Sequence, residues 1–254
     1  SEDDPNGAHH VFTSTDGINW PKGTVSNQGL PENGLNQPRF SWMRDLVHGG
    51  GIYVGIAAGG QSFTSDSWSR ADVMTSMDGQ NWAFLADRTS LSTATGGQAL
   101  TCITHANGQF VAVGYRDTSP LLNIVATTPD GLTWTSRSFN PRVFQRSASE
   151  SAVALAGGDG KVMAVTQWGG AAVSEDHGVT WSYAEVTAGN LGLEAVAFGG
   201  GRWVAVGSGG WAYRSTDGFS WNSVQVPDAF FLGNLIHDGT RFVAAGQYRN
   251  TVQR

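Results

Sequence analysis

Eight side chains in this sequence have the chemistry of a recognition surface: Trp68, Tyr115, Trp168, Trp211 and Tyr248, with Arg116, Arg142 and Arg249. An aromatic face beside a guanidinium, carboxamide or carboxylate suits a sugar ring. The apolar face of the sugar stacks while its hydroxyls give and take hydrogen bonds. Such polar neighbours stand at Asp66, Asp117, Gln167, Gln247 and Asn250. Arg142 lies in a stretch, 137–146, that also holds Arg137 and Arg146 and could grip a carboxylate or sulfate by forked hydrogen bonds. The same aromatics also suit plain packing, since Trp211 adjoins a predicted strand.

Two other constellations bear on chemistry. Asp45, Glu150, Glu194 and Asp228 are the acids that fall near predicted strand starts, where paired carboxylates would serve a glycosidase. Their spacing fixes no pair, so no catalytic residue is assigned. His48, His105 and His237 recur at one repeat position and could converge on a metal, but Leu155 and Phe198 hold the aligned position elsewhere. That makes it a packing position, and neither a metal nor a cofactor is expected.

The elements that must position these groups come from a repeat. Five times an acidic-glycine turn runs into a tryptophan: Asp16 to Trp20, Asp78 to Trp82, Asp130 to Trp134, Asp176 to Trp181 and Asp217 to Trp221. The tryptophans are 62, 52, 47 and 40 residues apart. Repeats of this period signal a propeller or array. The carboxylate accepts hydrogen bonds from nearby backbone N–H groups, the glycine takes positive φ, and the indole supplies core surface. Upstream of four of the five lies an apolar strand such as Phe110 to Gly114, a glycine- or Asn-containing turn before it, and another strand before that. The unit is therefore a four-stranded antiparallel blade. At the chain ends the two repeats are out of phase: the first turn lacks an upstream strand pair, and the strand pair ending at Gly246 lacks a downstream turn. The expected fold is all-β, a five-bladed β-propeller in one domain over 1–254, its ring closed by pairing the two termini in one blade. The blades are 35–96, 97–147, 148–189, 190–229, and 230–254 with 1–25.

The turn pattern resembles the Asp-box, or bacterial-neuraminidase repeat, with consensus Ser-x-Asp-x-Gly-x-Thr-Trp. The fourth copy, Ser174 to Trp181, has the full spacing; the other four are one residue shorter. The resemblance implies that the aspartates and tryptophans of these turns are structural and that binding lies on the opposite face. It also implies an exported protein, secreted, periplasmic or at the cell surface. The arginine triad and Tyr–Glu pair of Asp-box sialidases have no residue-by-residue counterpart here.

Composition narrows the classes further. A net charge of −6 argues against a nucleic-acid surface, and no apolar run is long enough for a membrane span. Cys102 is the only cysteine, so no disulfide forms within the chain. The functional expectation is a non-catalytic extracellular binding module that recognises a glycan. The alternative is a protein-interaction scaffold or structural subunit of an extracellular assembly, and a glycoside hydrolase comes third.

Overall fold

The computed structural model describes residues 11–26, 40–60, 70–85, 89–96, 98–116, 122–137, 150–187 and 191–248. A short strand β1 (Thr24–Ser26) precedes the first sheet, β2 (Phe40–Gly49), β3 (Ile52–Gly60), β4 (Arg70–Ser76) and β5 (Asn81–Phe84). Helix α1 (Thr89–Thr95) leads to the second, β6 (Leu100–Ala106), β7 (Gln109–Arg116), β8 (Leu122–Thr128) and β9 (Thr135–Arg137). The third is β10 (Ala152–Gly158), β11 (Lys161–Thr166), β12 (Gly170–Ser174) and β13 (Ser182–Glu185). The fourth is β14 (Leu193–Gly199), β15 (Arg202–Gly207), β16 (Trp211–Ser215) and β17 (Asn222–Gln225). The last sheet has two strands, β18 (Ala229–His237) and β19 (Phe242–Tyr248).

Within each four-strand unit the strands form an antiparallel meander, as the repeat predicts. The first strands stack in series, β2 on β6, β6 on β10, β10 on β14 and β14 on β18. In the first four sheets the second strands run inside the sheet and are largely buried on both faces. Phe110, Val111, Ala112 and Val113 are all sequestered, as are Val162 to Thr166. This is why these segments read as unbroken apolar runs rather than alternating ones.

Local chemistry sets the hairpins. Between β2 and β3, Gly50 and Gly51 both have positive φ; Asn107 and Gly108, Asp159 and Gly160, and Gly200 and Gly201 do the same between the next three pairs. Two consecutive positive-φ residues make the tight turn whose twist matches paired strands. The fifth hairpin is built differently. There the Asp238 carboxylate accepts from the N–H groups of Thr240 and Arg241 at 2.8 and 2.9 Å.

Every first strand carries a β-bulge, at Arg44, Thr101, Val153, Glu194 and Gly233, and β18 has a second register shift at Phe230. In the third blade the sequence alignment is two residues out. The glycine run 157–160 suggests a turn centred too early, whereas Asp159 and Gly160 make it. The residue in register with His48, His105, Phe198 and His237 is therefore Gly157, not Leu155. These positions form the seams between blades. A Cβ at Gly49 would collide with the His105 ring, one at Gly158 with the Phe198 ring, and one at Gly199 with the His237 ring. At the remaining seam the roles are reversed, with Ala106 filling the space above Gly157. Asp238 occupies the equivalent place in the fifth sheet. His105 and His237 are thus interblade packing groups, His48 is exposed, and no cluster fit for a metal ion occurs among the described residues.

Two features were not expected. Helix α1 buries Leu91, Ala94 and Thr95 and packs on β8 and β9. The expected pairing of 1–25 with 230–254 is not seen among the described residues. Residues 11–13 and 21–23 form a small hairpin, and β1 continues from it to pair in parallel with β5. Among the described residues β19 pairs only with β18, and Val243 to Tyr248 on it are exposed where most of their described counterparts in other blades are buried.

Candidate functional site

The five Asp-Gly turns share one hydrogen-bond plan. In each, a Ser or Thr hydroxyl accepts the glycine N–H, at 2.7 Å for Gly17 and 2.9 Å for Gly79. The same plan holds at Gly131, Gly178 and Gly218, at 3.0, 2.8 and 2.8 Å. That hydroxyl donates in turn to the aspartate. The indole N–H of each tryptophan donates to the glycine carbonyl, from 2.8 Å at Trp82 to 3.2 Å at Trp20 and Trp134. The backbone N–H of Asn19, Asn81 and Ser220, foremost among these bonds, holds the Asp16, Asp78 and Asp217 carboxyls well below the usual carboxylate range. At Asp130 and Asp176 burial pushes upward, but the hydrogen bonds prevail and the shift is again down. Oδ1 of each carboxylate is committed within the turn, and at Asp16, Asp78 and Asp176 an Asn or Thr side chain engages Oδ2 as well. Their role is to hold the turn, and they are poor candidates for gripping a ligand.

The turns also join blades. A Cβ at Gly131 would crowd Val54 and Thr75 of the preceding blade, one at Gly178 Val111 and Thr127, and one at Gly218 Met163 and Val173. Trp82 and Trp134 are buried, and Trp181 and Trp221 are partly so. Trp20 is the exception, at 57% exposed.

The opposite end of the sheets carries those of the other predicted residues that are described. Trp68, Arg142 and Arg249 lie outside the described residues, as do the side chains of Tyr115 and Arg116, which end β7. Trp168 sits in the tight turn between β11 and β12, exposed at its rim. Trp211 opens β16 and packs against the core beneath blades three and four, so it offers no open platform. Tyr248 ends β19 and is 68% exposed. Gln167, expected to meet a hydroxyl, accepts instead from the N–H and hydroxyl of Ser151, at 3.3 and 2.8 Å. The aromatics are therefore not five equivalent plates.

Two of the four acids are occupied as well. Asp45 spans a seam, accepting from the N–H of Leu46 at 2.8 Å and from that of Ile103 in the next blade at 2.9 Å. Burial nevertheless pushes its carboxyl up. Glu150 is buried and accepts the Thr166 hydroxyl at 2.5 Å. Glu194 stands at its bulge with its carboxyl raised by burial, and Asp228 is exposed in a turn at positive φ. Phe230, in the 227–232 connection whose aromatics the sequence offers as further candidates, is 51% exposed and adjoins Ala229, the strand partner of Tyr248.

Comparison with family models finds no match, and comparison with curated proteins finds none. Solved structures do match. YCF48 from Cyanidioschyzon merolae superposes with a TM-score of 0.57 at 18% identity, covering 93% of this chain and 72% of that one. The WD40 β-propeller domain of Doa1 gives 0.52 at 12% identity, over 82% of this chain and 63% of that one. A YCF48 bound to D1 peptide gives 0.49 at 16% identity, over 82% and 57%. Meander sheets stacked in series, and the likeness to YCF48 and Doa1, make the fold a β-propeller.

Proposed function

We propose that this chain is a protein-interaction scaffold, an exported five-bladed propeller of Asp-box type that holds a polypeptide segment at the end of the sheets opposite the Asp-Gly turns. The observation that carries the reading is the apolar surface there. Phe230 and Tyr248 lie together at the end of β18 and β19, and Trp168 lies at the same end of the third blade. Exposed aromatic strips of this kind mark interaction surfaces, and tyrosine and tryptophan suit protein interfaces because one part of the ring is apolar and another polar. A sugar needs directional partners beside each ring, and Gln167, placed for that role, is engaged by Ser151. The export part follows from the Asp-box resemblance alone.

A peptide array and a glycan array, probed side by side with the wild type and with the Trp168→Ala and Tyr248→Ala variants, test the reading. Peptides rich in apolar and aromatic residues bind the wild type. Each variant loses about tenfold, the loss that follows from about 1.4 kcal/mol at an aromatic anchor. A blank peptide array with a glycan hit displaced by free sugar returns the protein to the lectin reading.

A further inference from the structure

Each Asp-Gly turn exposes a large apolar side chain that the turn does not use. Ile18, Leu132, Val179 and Phe219 follow the turn glycine, with exposures from 81% at Ile18 to 38% at Phe219. In the second turn Gln80 holds that position, and Met77, just before the aspartate, is exposed instead. The bonds that build the turn take only a backbone N–H from the residue after the glycine. Ile18, Gln80, Leu132 and Phe219 give theirs to the aspartate at 2.9, 2.8, 2.8 and 2.7 Å. Gln80 shows that a polar side chain serves there, and polar or small residues dominate turns in general. An apolar tip on every turn therefore calls for a role outside the turn.

The tips follow one another along one end of the stacked sheets. Gly131, Gly178 and Gly218 each seat on the blade before their own, and Gly79 lies against Thr13 of the small hairpin. Lys161 shows how close neighbouring turns come. Its Nζ is 3.0 Å from Glu175 of the fourth turn, donates at 3.1 Å to the Asp217 carbonyl of the fifth and lies 5.7 Å from the Phe219 ring. Apolar residues exposed singly are ordinary, but a row of them at one end marks an interaction surface.

The charge of this end selects the occupant. The five turn aspartates keep their charge at neutral pH while holding their turns. The hairpins between first and second strands open at the same end and add Asp159 and Asp238. Of the cations there, Lys161 is engaged by Glu175 and Arg241 by Asp238, at 3.0 and 3.2 Å. Arg202, Arg214 and Lys22 do not balance the carboxylates that remain. An anionic bilayer is repelled by such a surface, whereas a segment with Arg or Lys between large apolar residues complements both its charge and its tips.

We propose that the Asp-Gly turns form a second docking surface, on which a basic, apolar-rich segment of a partner protein lies across several blades with one apolar contact per turn. This surface is at the opposite end from the one proposed above and is independent of its ligand.

The test is fluorescence anisotropy with short synthetic peptides in which Arg alternates with Leu, beside matched sets with Glu for Arg and with Ser for Leu. The wild type binds the Arg–Leu set, binds the other two at least about tenfold more weakly, and loses affinity as salt rises. A Leu132→Gln/Val179→Gln/Phe219→Gln chain carries the residue already present in the second turn. It keeps the wild-type unfolding midpoint and binds the Arg–Leu set about tenfold or more weakly. The inference is overturned if no set binds, if the Glu–Leu set binds equally well, or if the triple variant binds like the wild type. A peptide lost by Trp168→Ala/Tyr248→Ala and kept by the triple variant sits at the other end and overturns it too. So do phosphatidylcholine vesicles that sediment the wild type and not the triple variant while no peptide binds, an outcome that gives the tips to a lipid surface.

Discussion

At the scale of single residues, the Ser–Asp–Gly–Trp plan predicts how each group fails. Ser76→Ala leaves the buried N–H of Gly79 without an acceptor, a loss of about 1–3 kcal/mol measurable by denaturant unfolding. Trp134→Ala removes a buried indole and costs about 3–5 kcal/mol in the same experiment. The depressed carboxyls fix the sign of the pH dependence. A group whose folded pKa lies below its unfolded value of about 3.9 stabilises fully above that pH and loses its contribution as pH falls toward the folded value. Unfolding midpoints should therefore fall below about pH 4, and Asp16→Asn, Asp78→Asn and Asp217→Asn together should flatten that fall. Cys102 has its thiol pushed up to about 12 by burial, so a thiol reagent at neutral pH modifies it only after unfolding.

At the scale of elements, the seams are built from a ring on one blade and a missing side chain on the blade before it. Gly199→Ala places a methyl into the His237 ring and should destabilise by about 1–3 kcal/mol. Adding His237→Gly should recover part of that loss, because Ala106 over Gly157 shows the exchanged arrangement already in use. A double-mutant cycle with no coupling would show that the seam is not packed in this way. The strands and turns of this layer were legible in sequence because Asn-Gly, Asp-Gly and Gly-Gly pairs dictate their backbone. Helix α1 was not legible: its run Thr89–Thr95 has weak helix formers and gains its stability from burying Leu91 under the second blade. Nor was β1, whose three residues pair only because β5 offers them an edge.

At the scale of the molecule, the propeller followed from the period of the repeat, which needs no side-chain geometry to be read. The binding end did not follow in the same way. Whether Trp211 is a platform or core depends on packing between the third and fourth blades, and whether Gln167 is free or held by Ser151 depends on how β10 and β11 meet within the third. Met43 and Leu46 on β2 and Ile236 on β18 remain exposed at the two ends of the stacked series.

The glycine seats bear on how the molecule comes apart. At three of the four seams a blade leans a ring into the one before it, and the succession stops where Asp238 stands in place of a glycine or alanine. Denaturation therefore has a preferred point of entry. β18 and β19 should yield first, the middle sheets with Ala106, Gly158 and Gly199 at their seams should yield last, and a chain pulled from its C-terminus should unwind one blade at a time.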